Sequence, residues 1–142
     1  MIYQFETINI GGIGIQNLNQ YMALDKNDGS QVLSMKIGPF HCLFLGDASS
    51  IIEEKIVRDF PNLQVNLLKV SHHGSYTGTS NQLLEMYRPQ YALISCGKNN
   101  LYKHPHPNVI SKLEAYGLKI YRSDRNGMVN LYFKDQTFNI EA

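Results

Sequence analysis

Apolar and polar positions alternate along this chain in short blocks, most too brief for helices and each closed by glycine, proline, asparagine or aspartate. Val65 to Val70 carries apolar residues at 65, 67, 68 and 70 and stops at Ser71-His72-His73-Gly74, the pattern of a buried strand ended by a turn. Phe40 to Leu45 and Tyr91 to Cys96 are similar runs, closed by Gly46-Asp47 and Gly97-Lys98. Ile2 to Ile10 predicts one or two strands, Tyr21 to Leu24 is a short apolar run, and Val32 to Ile37 is a further strand. Asp25 to Ser30 reads as a hairpin signal, because Asp28-Gly29 suits the positive φ angles of a tight turn. Gly11, Gly12 and Gly14 lack both the GxGxxG spacing and the GK[ST] ending of phosphate loops, so they predict a flexible turn.

Helical spacing appears between these strands. Ile51, Ile52, Ile56, Val57 and Phe60 mark a helix from Ser50 to Phe60 that packs on a sheet, with Ser49 as cap and Glu53 and Glu54 favouring its amino-terminal dipole. Ser80 caps a short helix from Asn81 to Tyr87, which Pro89 prevents from continuing. Pro107 opens a third helix, with Val109, Ile110 and Leu113 inward, that runs to about Tyr116 and stops at Gly117. Leu118 to Tyr121, Met128 to Phe133 and Thr137 to Ile140 are closing strands, with Asp124-Arg125-Asn126-Gly127 as a hairpin turn. The order is a β-rich stretch, then βαβαβα, then a terminal hairpin: an α/β (α+β) class with a mixed sheet.

Composition narrows this picture. A chain of 142 residues is one domain's worth, so residues 1–142 are taken as a single unit. The 43% hydrophobic and 18% charged content is that of a globular protein. A net charge of +1 leaves any polyanion to be held by local groups. Cys42 and Cys96 lie in apolar runs without a CxxC pattern, so two buried free thiols are expected. The chain holds no apolar run of about 18 residues, and its first residues lack the features of a signal peptide. It is expected to be soluble and not to insert into a membrane by itself.

Candidate chemistry collects where strands end. Open α/β sheets bind ligands outside the carboxyl ends of their strands. Asp47, the His72/His73 pair and the His104/His106 pair all follow strands and are placed to converge on one cleft. Each has a plain alternative: Asp47 as a helix cap, the histidines as turn or packing residues. Carboxylate with imidazoles suits zinc, manganese or iron, which activate water and polarise a phosphoryl oxygen. Lys69, Lys98 and the Ser75 and Thr77 hydroxyls are candidates for holding an anion.

Leu43-Phe44-Leu45-Gly46-Asp47, Leu68 to Ser75, and Gly97 to Pro107 together resemble the metallo-β-lactamase-fold domain of the ComEC competence family. Asn27 to Leu33 and Lys119 to Asp124 are similar to it as well, so the likeness spans about residues 27–128. The resemblance implies half of an αββα sandwich with helices on one face of the sheet. It implies two divalent metals, zinc or manganese, in the intact fold. Asp47 would bridge them, and His73 or its neighbour His72 would ligate the second. His72 and His104 would act catalytically, and Ser75, Lys98, Asn99 and His106 would meet the substrate. The implied activity is phosphodiester hydrolysis on DNA during uptake, within a membrane-embedded parent protein.

The family's His-x-His-x-Asp-His cluster is absent from this sequence. By this resemblance the chain looks like the second half of the fold, and by itself it is expected to be inactive. The absent half, or a second copy of the chain in a homo-oligomer, would cover the sheet face left open. Two other readings are a non-catalytic binding or assembly domain, and a hydrolase of a substrate other than DNA. For DNA, Lys98, Lys103, Arg122 and Arg125 are the local cations available.

Overall fold

Seven strands form one mixed sheet, and the helices that connect its second half lie against a single face of it. These features come from a computed structural model that describes residues 7–21 and 26–142. The predicted Ile2–Ile10 strand falls partly outside those residues, and the run at Tyr21–Leu24 and the first residue of the Asp25–Ser30 turn fall largely outside them.

The strands are β1 (Ile8–Ile10), β2 (Ile13–Asn17), β3 (Leu33–Ile37), β4 (Phe40–Phe44), β5 (Leu67–Lys69), β6 (Tyr91–Ile94) and β7 (Lys119–Arg122), which neighbour one another in chain order. Strands β1 to β4 pair antiparallel, and β4 to β7 pair parallel. The parallel half needs crossovers, supplied by α1 (Ser50–Asp59), α2 (Asn81–Tyr87) and α3 (Pro107–Ala115). Crossovers between successive parallel strands keep one hand, so these helices share a face. Their apolar residues Ile52, Ile56, Val57, Leu83, Leu84, Val109 and Leu113 bury with Leu43, Leu68, Ala92 and Ile94 in one core. Burying a side chain of this kind contributes about 1.5–3 kcal/mol.

Three expectations need correction. The glycine-rich stretch is a turn only at Gly11-Gly12; Ile13 to Asn17 is strand β2, paired on both sides, so sheet partners override the low strand propensity of Gly14. Asp124 to Gly127 is not a hairpin turn: Ser123–Asn126 forms a single helical turn, α4, at the end of β7. The terminal hairpin instead joins β8 (Asn130–Lys134) to β9 (Thr137–Glu141) in a separate two-stranded sheet. Ser49 occupies the N-cap position of α1, but its hydroxyl makes no cap bond, and the Asp28 carboxylate accepts the Ser49 amide at 2.9 Å.

The second face of the sheet is also apolar. Registration aligns Ile15, Met35, Cys42, Leu67 and Tyr91 across it. The β8–β9 hairpin covers one end, with Phe138 4.9 Å from Phe40 and 5.6 Å from Tyr91, ring centre to ring centre. Cys42, Leu67 and Tyr121 are buried on this face. Beyond the hairpin, Ile13, Ile15, Leu33, Met35 and Ile37 are half-buried, and Ile8 and Ile10 are exposed.

Candidate functional site

The loops that follow β4, β5 and β6 meet at one edge of the sheet. The His72 amide donates to the Gly46 carbonyl at 2.9 Å, and the His106 amide donates to the Gly74 carbonyl at 2.8 Å. Parallel strands therefore bring Asp47 and both histidine pairs together, as strand ends in such a sheet should.

The second loop is held in an uncommon backbone. His72, His73 and Gly74 all have positive φ, at 44°, 56° and 84°, a region that costs a residue with a Cβ. Two contacts enforce it. A Cβ on Gly74 would lie 2.5 Å from the Pro105 Cβ, so the loop packs directly on the His104-Pro105-His106 segment. From the other side, Glu53 reaches out of α1 and is fully buried. Its carboxylate accepts from the Ser71 hydroxyl at 2.9 Å, the Thr79 amide at 2.8 Å and the Ser80 amide at 2.6 Å. Burial pushes the Glu53 carboxyl above its ordinary range, and these bonds pull against that rise.

Within this frame His73 is oriented like a ligand. Its Nδ1 lies 2.7 Å from the Ser95 carbonyl oxygen, which can only accept, so Nδ1 carries the proton. In the neutral ring Nε2 then presents its lone pair, and it faces Asp47 Oδ1 at 3.8 Å. A backbone carbonyl behind a histidine is the usual support of a metal-bound imidazole. Donors about 2.0–2.1 Å from a tetrahedral ion stand about 3.4 Å apart, so closure by a few tenths of an ångström suffices. His73 and Asp47 thus fit as two donors, but no cluster of three or more histidine, cysteine, aspartate or glutamate groups able to hold a metal occurs among the described residues. A catalytic ion wants about three protein ligands, and Asp47 and His73 are two side chains of the kind that could serve.

His72 turns elsewhere. Its Nδ1 lies 3.5 Å from the Thr77 hydroxyl, which also lies 3.0 Å from the Ser75 hydroxyl, and its ring centre is 5.8 Å from that of His104. Partial burial, followed by the neighbouring His72, His73 and His106, lowers the pKa of His104. His106 caps α3, its Nδ1 accepting from the Asn108 amide at 3.3 Å. Lys98 and Asn99 are exposed on the loop after β6, with Asn99 at φ 53°. Lys69 points to the second sheet face, is half-buried, and donates to the Val70 carbonyl at 3.1 Å. Its pKa is lowered by burial and raised again by Asp47. Arg122 is spent on a two-point pair with Asp124, at 3.0 and 2.6 Å, which leaves Lys98, Lys103 and Arg125 as the exposed local cations of those expected. A hollow of about 480 Å³ whose lining includes Asn9, Gln16, Ser34, Lys36, His41 and Leu63 contains none of the strand-end histidines.

The residues missed in the sequence are those that hold the loops. Glu53 suits the helix dipole by its place in the first turn, yet it sits three and four positions before Ile56 and Val57, so helical spacing already puts it on the inward stripe. Asn100 also carried a signal, as an asparagine in a turn-forming run. Its side chain donates to the Gly97 and His104 carbonyls at 3.0 and 2.6 Å and accepts the His104 amide at 2.9 Å.

No family model matches the sequence. The chain is similar to part of several longer proteins. It is 36% identical over 117 residues to ComE operon protein 3 of Bacillus subtilis, covering 81% of this chain and 15% of that protein. It is 37% identical over 105 residues to the competence protein ComA of Neisseria gonorrhoeae, covering 73% and 15%. Over 132 residues it is 32% identical to recombination protein 2 of Haemophilus influenzae, covering 92% and 16%. The chain thus spans about one-sixth of the length of the relatives it matches.

Proposed function

We propose that this chain is the portion of a competence-related DNA-uptake protein that supplies one side of a divalent-metal phosphodiesterase site. The observation that carries the reading is the Asp47–His73 pair, with the His73 lone pair aimed at the carboxylate by the Ser95 carbonyl. The relatives' names support the competence role, and the strand-end placement supports a ligand site. A zinc or manganese ion there supplies a Lewis acid and a source of hydroxide near neutral pH. The chain's own part is to hold Asp47 and His73 as donors and to set His72 and His104 beside them. The remaining donors come from the half of the fold that carries the His-x-His-x-Asp-His cluster, within a membrane-embedded parent. Among the described residues no helix is long and apolar enough to cross a membrane. The half-buried second sheet face beyond the hairpin is the surface that other half, or a second copy, covers.

The test is metal content and phosphodiester hydrolysis of the chain joined to the polypeptide that precedes it in the parent, beside the chain alone. Stoichiometric zinc or manganese in the joined protein, lost in Asp47→Ala and His73→Ala, is the expected result. Equal metal in the wild type and both variants would overturn the assignment.

A further inference from the structure

Two exposed tyrosines flank the histidines, and both are presented by fixed turns. Tyr76 is 73% exposed and Tyr102 is 80% exposed, with Leu101 beside it at 95%. The backbone around each of them is fixed by hydrogen bonds, which holds the ring outward. Asn100 provides these for Tyr102: its side chain closes Gly97 to His104 into a ring, and the Lys103 amide adds a bond to the Asn100 carbonyl at 3.1 Å. Leu101 and Tyr102 are the tip of that ring. Tyr76 stands at the tip of a turn in which the Ser75 and Thr77 hydroxyls meet at 3.0 Å and the Thr77 carbonyl accepts the Ser50 amide at 2.8 Å.

The rings run on across the site. Tyr102 stacks on His104, centres 5.8 Å apart at 27°; His104 meets His72 at 5.8 Å, and His72 meets His73 at 6.4 Å. On the other side Tyr76 meets His106 edge-on at 5.8 Å. The loops 71–80 and 95–108 contain Lys98 and Lys103 and no aspartate or glutamate. An arc of rings, exposed at Tyr76, His73 and Tyr102 and half-buried at the histidines between them, with cations beside it and no acid within the loops, matches the way proteins hold unpaired nucleic acid: charge follows the phosphates and rings stack on the bases.

We propose that Tyr76 and Tyr102 are stacking platforms for two nucleobases of a single strand whose backbone crosses the His72–His104 pair, an inference that rests on the nucleic-acid reading above. A base stacked on Tyr102 is unpaired, so the site accepts a strand only after it has left its duplex. Selectivity for single strands thus lies in these two rings and not in the metal donors.

The experiment is fluorescence anisotropy of a labelled short oligothymidylate, an abasic strand of equal length and the matching duplex, all in chelator so that binding is read without hydrolysis. Expected is weaker binding of the abasic strand and of the duplex by about tenfold or more. Tyr102→Ala and Tyr76→Ala should each weaken oligothymidylate binding roughly five- to hundredfold, leave the abasic strand unchanged, and be rescued by phenylalanine. Equal affinity for the abasic strand, or tyrosine variants that bind like wild type, overturns the proposal. Loss of self-association in the tyrosine variants with unchanged oligonucleotide affinity also overturns it, in favour of a protein contact. Failure here with metal still lost in Asp47→Ala leaves the metal-site reading standing; metal content unaffected by Asp47→Ala, with base-dependent binding intact, has the reverse meaning.

Discussion

Glu53 is the side chain on which the geometry of the histidine loop most depends. Replacing it with alanine leaves three buried donors, the Ser71 hydroxyl and the Thr79 and Ser80 amides, without their acceptor. An unsatisfied buried donor costs about 1–3 kcal/mol. Allowing some relaxation of the loop, Glu53→Ala should lose about 3–5 kcal/mol, a large share of the roughly 5–15 kcal/mol a domain of this kind has. Glu53→Gln keeps the shape and one acceptor but sets an amide donor against a backbone N–H, so about 1–3 kcal/mol is expected. Urea unfolding of the variants measures these losses, and limited proteolysis between Ser71 and Ser80 reports the loop directly. The pH dependence has a definite sign. Burial raises the folded Glu53 carboxyl above its unfolded value, so its contribution is present below the unfolded pKa and is lost as pH rises through the folded one. The stability gap between wild type and Glu53→Gln should therefore narrow with rising pH. A Glu53→Ala protein within about 1 kcal/mol of wild type, with the loop equally protected, would refute the argument.

Two further outcomes follow from the same contacts and from the thiols. Gly74→Ala should destabilise by about 1–3 kcal/mol or more, because it combines φ 84° with a Cβ only 2.5 Å from the Pro105 Cβ; a melting curve like wild type would count against the loop packing described. Burial pushes the Cys42 thiol up to about 11, and Cys42 is buried whereas Cys96 is only half-buried. An aromatic disulfide reagent near pH 8 should accordingly modify Cys96 first, with the difference abolished in urea; equal rates in the native protein would contradict the burial of Cys42.

Much of this architecture was legible because parallel strands announce themselves. Phe40 to Phe44, Leu67 to Lys69 and Tyr91 to Ile94 are at least half-buried at every position, so each reads as a largely apolar run with an abrupt end. The residues after those ends were then natural site candidates, and Asp47, His72, His73, His104 and His106 do share one edge. Strand β2 was hidden because Gly11, Gly12 and Gly14 mask the strand preference of Ile13 and Ile15, which pairing with β1 and β3 restores. The Asn126-Gly127 pair looked like a hairpin turn, since local chemistry cannot tell a turn between partners from one between strands of different sheets. What stayed illegible was pairing at a distance: the bonds from Glu53 to Ser71 and Thr79 join residues 18 and 26 positions apart.

The bonds between loops at the sheet edge have a consequence for how this region breathes. The amides of Ser50, His72 and His106 are each held by a carbonyl of a different loop. A proton so held is shielded until the two loops part, and parting one pair strips the next of its partner. Exchange with heavy water at these three amides should therefore rise and fall together, as one opening event, and any group that binds across the loops should slow all three at once.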